Sequence, residues 1–148
     1  MNHREPDTDP ADRRTLLSLL EVDLALTGDE STIEDALAGL GSFAADARRA
    51  GPPPGPVLDC PVPAGSSPGQ LLAELTRLAV QHSDRLCLHA GVVTYPGAAV
   101  VIPGSSGLGK STLTAALVQA GFGYLSDEVL AVPRTGGLPA RFARPIAV

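Results

Sequence analysis

Eight residues constrain this chain more than any others: Gly104-Ser105-Ser106-Gly107-Leu108-Gly109-Lys110-Ser111 match the pattern glycine, four residues, then Gly-Lys-Ser/Thr. The glycines let the backbone curl so that successive N–H groups face inward, and the following helix adds the positive end of its dipole. Such a loop demands a strand before it and a helix after it. Ala99, Val100, Val101 and Ile102 supply the apolar run in front, and Leu113, Ala116, Leu117 and Ala120 recur at helical spacing behind, up to Gly121. The spacing puts these four on one face of that helix.

The chemistry this loop predicts is phosphate binding, with ATP or GTP as nucleotide and Mg²⁺ as counter-ion. Gly104, Gly107 and Gly109 shape the curl, while Ser105, Ser106, Leu108 and Thr112 complete the binding stretch. Lys110 reaches the β- and γ-phosphates, and the Ser111 hydroxyl ligates the metal. Lys110 is the one lysine among the eleven basic residues.

Beyond the helix, Gly123 to Val132 reads as a short strand, the acid pair Asp127-Glu128, and a second apolar run. An acid at a strand end beside such a loop can hold Mg²⁺ or accept a proton from an attacking hydroxyl. Adjacent acids on a turn suit solvated surface equally, and the residues alone leave both readings open. His89 lies in the strand before the loop strand, where a histidine is more often a hydrogen-bonded strand residue than a catalytic one. Arg134, Arg141 and Arg144 follow without an intervening acid, a pattern of solvated loop cations or of a phosphate clamp. His3 and His82 carry no such signal.

The string Leu88-His89-Ala90-Gly91-Val92-Val93, then Gly104 to Ser111, then Leu125-Ser126-Asp127-Glu128, resembles the P-loop kinases of the HPr kinase/phosphorylase type. It is similar as well to the nucleotide core of phosphoenolpyruvate carboxykinases. The resemblance implies an α/β fold with a P-loop-containing nucleotide-binding core, in a parallel or mixed sheet with flanking helices. It implies that Asp127 takes the proton from a serine hydroxyl, on a protein or a small molecule, as that hydroxyl attacks the γ-phosphate of ATP. It sets His89 beside Asp127 to orient it, and Ser111, Asp127 and Glu128 around the metal. Glu128 stands where the family often has Asp, which moves the carboxylate by one methylene. The likeness covers about Asp84 to Val148, and Arg144-Pro145-Ile146-Ala147-Val148 is similar to the start of a further family element. The acceptor-recognition loop and terminal helices would follow it. A fragment, a site completed by a partner chain, and a module that binds nucleotide without transferring phosphate are the three expectations this leaves. A piece of a transport or motor ATPase fits less well, because Gly123-Tyr124-Leu125-Ser126 is too weakly apolar for the strand before their acid.

The front of the chain reads differently. Residues 1–12 are polar with two prolines and are expected to be a disordered tail. Residues 13–50 are expected to be helical: Leu16, Leu17, Leu19, Leu20 and Leu24 recur at spacings of three and four, with Gly28 as a stop. Ser31 and Glu34 have capping-box spacing for a second helix to about Ala50. The Pro/Gly-rich stretch 51–66 reads as a stiff linker and domain boundary, and 67–148 as the kinase-like domain. Within it, Ser67-Pro68-Gly69-Gln70 caps a helix through Ser83, and Leu86 to Ile102 forms a β-hairpin turning at Tyr95-Pro96-Gly97-Ala98.

Composition bounds the partners. A formal charge of -5 argues against nucleic acid and anionic membrane. The excess sits in front, where residues 1–50 carry eleven acids against five arginines and 51–148 five acids against six bases. No apolar run of about 18 residues and no apolar leader follows Met1, so a cytoplasmic location is expected. Cys60 and Cys87 belong to no metal or disulfide pattern and are expected to be free thiols. Oligomeric state is left open.

Overall fold

The computed structural model describes residues 14–142. The expected tail, His3, Arg144 and the last family-like element lie outside them. The described residues are mixed α/β, in two sheets with four helices. Among the described residues no helix is long and apolar enough to cross a membrane.

The leucine-rich front is not a helix. It is the hairpin β1 (Thr15–Leu19) and β2 (Val22–Gly28), antiparallel, with Leu19 opposite Val22. In a run this rich in leucine, spacings of three and four coexist with alternation. Leu17, Leu19, Val22, Leu24 and Leu26 share one face of the hairpin and are buried, and β2 is covered on its other face as well, at Asp23 and Ala25. The turn, Leu20-Glu21, carries positive φ at both residues (52° and 68°), the geometry a tight hairpin needs without the glycine that would advertise it. Glu21 pairs with Arg85 at 2.7 Å, and Leu20 is buried.

The second expected helix is two: α1 (Glu30–Ala38) and α2 (Ser42–Ala47). Asp29, not Ser31, caps α1, accepting from the Thr32 N–H at 2.9 Å. The Ser31 hydroxyl bonds to Asp29 as well, and these bonds, the serine first, hold the Asp29 carboxyl below its ordinary pKa. The supposed linker carries β3 (Val57–Val62), which pairs parallel with β2 and completes the three-stranded order β1-β2-β3. Pro61 is tolerated there because β3 is an edge strand.

The helix α3 (Pro68–His82) has the capping box read from Ser67 and Gln70, with Pro68 in its first turn. Its buried face, Leu71, Leu75, Leu78 and Ala79, packs into the same apolar cluster as the front sheet and α1. That cluster also takes in Val129, Ala131 and Phe142, so the stretch 51–66 does not separate two cores.

Behind α3, the hairpin is formed by β4 (Leu86–Tyr95) and β5 (Ala98–Pro103), with Tyr95 opposite Ala98 as read. Then come α4 (Lys110–Gln119), β6 (Gly123–Ser126) and β7 (Val129–Val132). The long strand β4 is the spine: β5 and β6 pair with its second half, and β7 with its first. Every pairing among the described residues of this sheet is antiparallel, and the parallel pairing described is β2–β3, away from the glycine-rich loop.

The buried face of α4 is not its apolar one. Leu113 is 48% exposed, Ala116 and Ala120 are exposed, and the buried positions are Lys110 and Thr114. The helix approaches β4 so closely at Gly91 that a Cβ there would stand well under 3.0 Å from Thr114 Oγ1. That contact, rather than leucine periodicity, sets the helix rotation.

Candidate functional site

The loop between β5 and α4 curls as its glycines permit. Gly107 and Gly109 hold φ of 82° and 77°, in the left-handed region where a side chain would be strained. Gly109 is the residue before α4, and no side chain caps that helix. The first α-type bond of α4 runs from the Leu113 N–H to Gly109 O at 2.9 Å, so the N–H groups of Lys110, Ser111 and Thr112 precede any intrahelical acceptor. A helix start of this kind attracts anions.

Lys110 opens α4 and is only 6% exposed. Its ammonium donates to the Ser105 carbonyl at 2.8 Å, folding the side chain back along the loop. An ammonium carries three donors and tolerates burial only when partnered. It lines a cavity of about 270 Å³ with Ser106, Gly107, Gly109, Ser111 and Thr112 on the loop side, and His89, Asp127 and Glu128 opposite. Six of the nine residues read from the sequence as the binding stretch thus border one space. Gly104 and Ser105 form the back of the loop, and Leu108 projects outward at 73% exposure.

The acids arrive through strand register. Val92 pairs with Ser126 and His89 with Val129, so Asp127 and Glu128 bridge β6 and β7 beside Ala90 and Gly91. The Ala90 N–H donates to Glu128 O at 3.1 Å, and Ser126 Oγ accepts from the N–H groups of Glu128 and Val129 at 3.2 and 3.0 Å. This fixed turn buries Asp127, leaving it 2% exposed, and the Tyr124 hydroxyl donates to its Oδ1 at 2.9 Å. Tyr124 carried no signal in the sequence, since a tyrosine three residues before an acid is unremarkable until a turn folds it back.

His89 is held by Glu128. Its Nδ1 lies 3.1 Å from the Glu128 carbonyl oxygen and 3.6 Å from Oε1 of the same residue. A carbonyl only accepts, so Nδ1 bears the proton, and Nε2 is an acceptor when the ring is neutral. His89 and Asp127 border the same cavity, but the direct contacts of the ring are to the neighbouring acid.

The other candidates lie elsewhere. Arg134 donates to the Asp84 carbonyl at 2.9 Å, and Arg141 borders a different cavity beside Phe43 and Phe142. Neither reaches the loop. Both cysteines are free thiols; burial pushes Cys60 up to about 11 and raises Cys87. Among the described residues no group of three or more His, Cys, Asp or Glu side chains is placed to hold a metal ion. A cation at this site would depend on Ser111 and one or two carboxylates, together with oxygens of a bound ligand and water, the donor set that suits Mg²⁺ rather than Zn²⁺.

No protein-family model, no curated protein and no solved structure matches this chain.

Proposed function

We propose that the chain is an HPr-kinase-like, P-loop nucleotide-binding protein that binds ATP with Mg²⁺ and transfers the γ-phosphate to a hydroxyl. The observation that carries this is a buried ammonium, Lys110, at an uncapped helix start, bordering the same cavity as a buried carboxylate, Asp127. Lys110 and the N–H groups of residues 110–112 would hold the phosphates. Ser111, with Glu128, would hold Mg²⁺, which neutralises charge on the transferring group.

Asp127 is the general base. As the acceptor oxygen forms its bond to the γ-phosphorus, the bond from that phosphorus to the β,γ-bridging oxygen breaks. The acceptor proton passes to the carboxylate, and ADP leaves. Tyr124 fixes the carboxylate by holding Oδ1, and His89 steadies the turn through the Glu128 carbonyl. Catalysis of this kind is positioning plus electrostatics.

Calorimetric titration of ATP with Mg²⁺ against the wild type and Lys110→Ala tests the binding step. Loss of a charge-assisted contact of about 2–4 kcal/mol corresponds to a fall of roughly 30- to 1,000-fold in affinity; equal affinities would end the reading. Asp127→Asn separates transfer from binding: ATP affinity stays within about threefold, while phosphate transfer disappears. Saturable ATP binding with no transfer to any hydroxyl would establish a binding module in place of a kinase.

A further inference from the structure

A second hollow adjoins the phosphate cavity. It is a groove of about 330 Å³ between the last turns of α3 and the start of β4, and its apolar walls include Val80, Cys87, Leu88 and Val129. His89 and Glu128 border both the groove and the phosphate cavity, so the two spaces share a wall at the acid turn. Two features set what could lie in it. Arg77, the arginine among its described lining residues, is occupied: Nε and Nη2 donate to the Glu74 carboxylate and Nη1 to Gln81 Oε1, which leaves little attraction for an anionic group. Its position is at the acid end of the phosphate cavity, where a hydroxyl approaching the γ-phosphate must stand, and not at the Gly104-Ser105 side.

We propose that this groove is the acceptor subsite, and that the acceptor is a small primary alcohol with an uncharged aliphatic arm. The arm lies on Val80, Leu88 and Val129, and the hydroxyl sits at the shared wall. There its one proton goes to Asp127, which borders the phosphate cavity beside that wall, while His89 keeps Nδ1 on the Glu128 carbonyl and holds the wall in place. The assignment rests on the kinase reading, but its apolar half can be measured without it. Leu88 is 51% exposed although it sits in a strand between His89 and Cys87, an apolar position that gains burial only when something covers it.

The test uses ethanol, 1-butanol and 1-hexanol as probes. Amide shifts of ¹⁵N-labelled protein report binding, and alkyl phosphate formed from ATP with Mg²⁺ reports transfer. Burying a methylene is worth about 0.8 kcal/mol, so affinity should rise about fourfold per added carbon, with shifts centred on Cys87, Leu88 and Val129. The KM for transfer should fall along the same series, and Leu88→Asp should flatten both trends while keeping the wild-type amide spectrum elsewhere. Lys110→Ala should retain the alcohol shifts and lose transfer. The proposal fails if shifts are absent, scattered or independent of chain length. It also fails if a seryl peptide is phosphorylated while KM for the alcohols stays flat, which would assign the acceptor to a protein. ATP titration of the wild type without alcohol reports separately on the nucleotide reading, so its failure is not confused with that of the groove.

Discussion

Substituting Gly91 by alanine probes the contact that joins the fold to the site. A Cβ at this position would stand well under 3.0 Å from Thr114 Oγ1, and Thr114 is 0% exposed, so neither atom can move into solvent. Overpacking of this kind costs about 1–3 kcal/mol. At roughly 2–4 °C per kcal/mol for a chain of this size, the expected loss is about 6 °C in Tm, measured by calorimetry or circular dichroism. The partner makes the argument specific. Thr114 Oγ1 has no hydrogen-bond partner among the described residues, so Thr114→Ala removes the colliding atom without breaking a bond. In that background Gly91→Ala should cost under about 0.5 kcal/mol, giving a coupling of about 1.5 kcal/mol in the double-mutant cycle. Thr114→Val keeps the shape and should keep the full penalty. An equal loss in the threonine, alanine and valine backgrounds would refute the close approach of α4 to β4, and with it the geometry that seats Lys110.

Two further perturbations read the front of the fold. Asp23, 5% exposed on β2, pairs with Arg49 at 3.0 Å, so Arg49→Met should leave a buried carboxylate alone and lower stability by about 3 kcal/mol in denaturant unfolding, with Asp23→Asn/Arg49→Met recovering part of it. Burial pushes the Cys60 thiol from 9.0 up to about 11; the unfolded chain therefore ionises first, and stability should fall by about 1.4 kcal/mol per pH unit between those values. Unfolding midpoints across that range should lose this slope in Cys60→Ala, and an unchanged slope would assign it to other groups.

The capping box at Ser67, the hairpin through Tyr95, and the strand, loop and helix around Lys110 were all legible in the chain, because each rests on residues within a few positions of one another. Turn and cap chemistry is local, so short spacings suffice. The leucines at 16–24 were not legible in this way: their spacing suits helix and strand alike, and the choice was made by β3, which arrives more than thirty residues later to pair with β2. Proline-rich composition hid that strand, since an edge position removes the penalty that Pro61 would carry at the centre of a sheet.

The sequence by itself determined that a glycine-shaped loop precedes a helix beginning with the chain's single lysine, and that an acid pair follows on a turn. Tertiary structure decided what those groups face. Register along β4 brought Asp127, Glu128 and His89 across from Lys110, close contact at Gly91 turned α4 so that Lys110 and Thr114 are buried while Leu113 is exposed, and folding of the turn gave Asp127 its tyrosine. Local propensity depends on neighbours in sequence. A binding cavity depends on which strands pair, and that free energy belongs to the whole sheet.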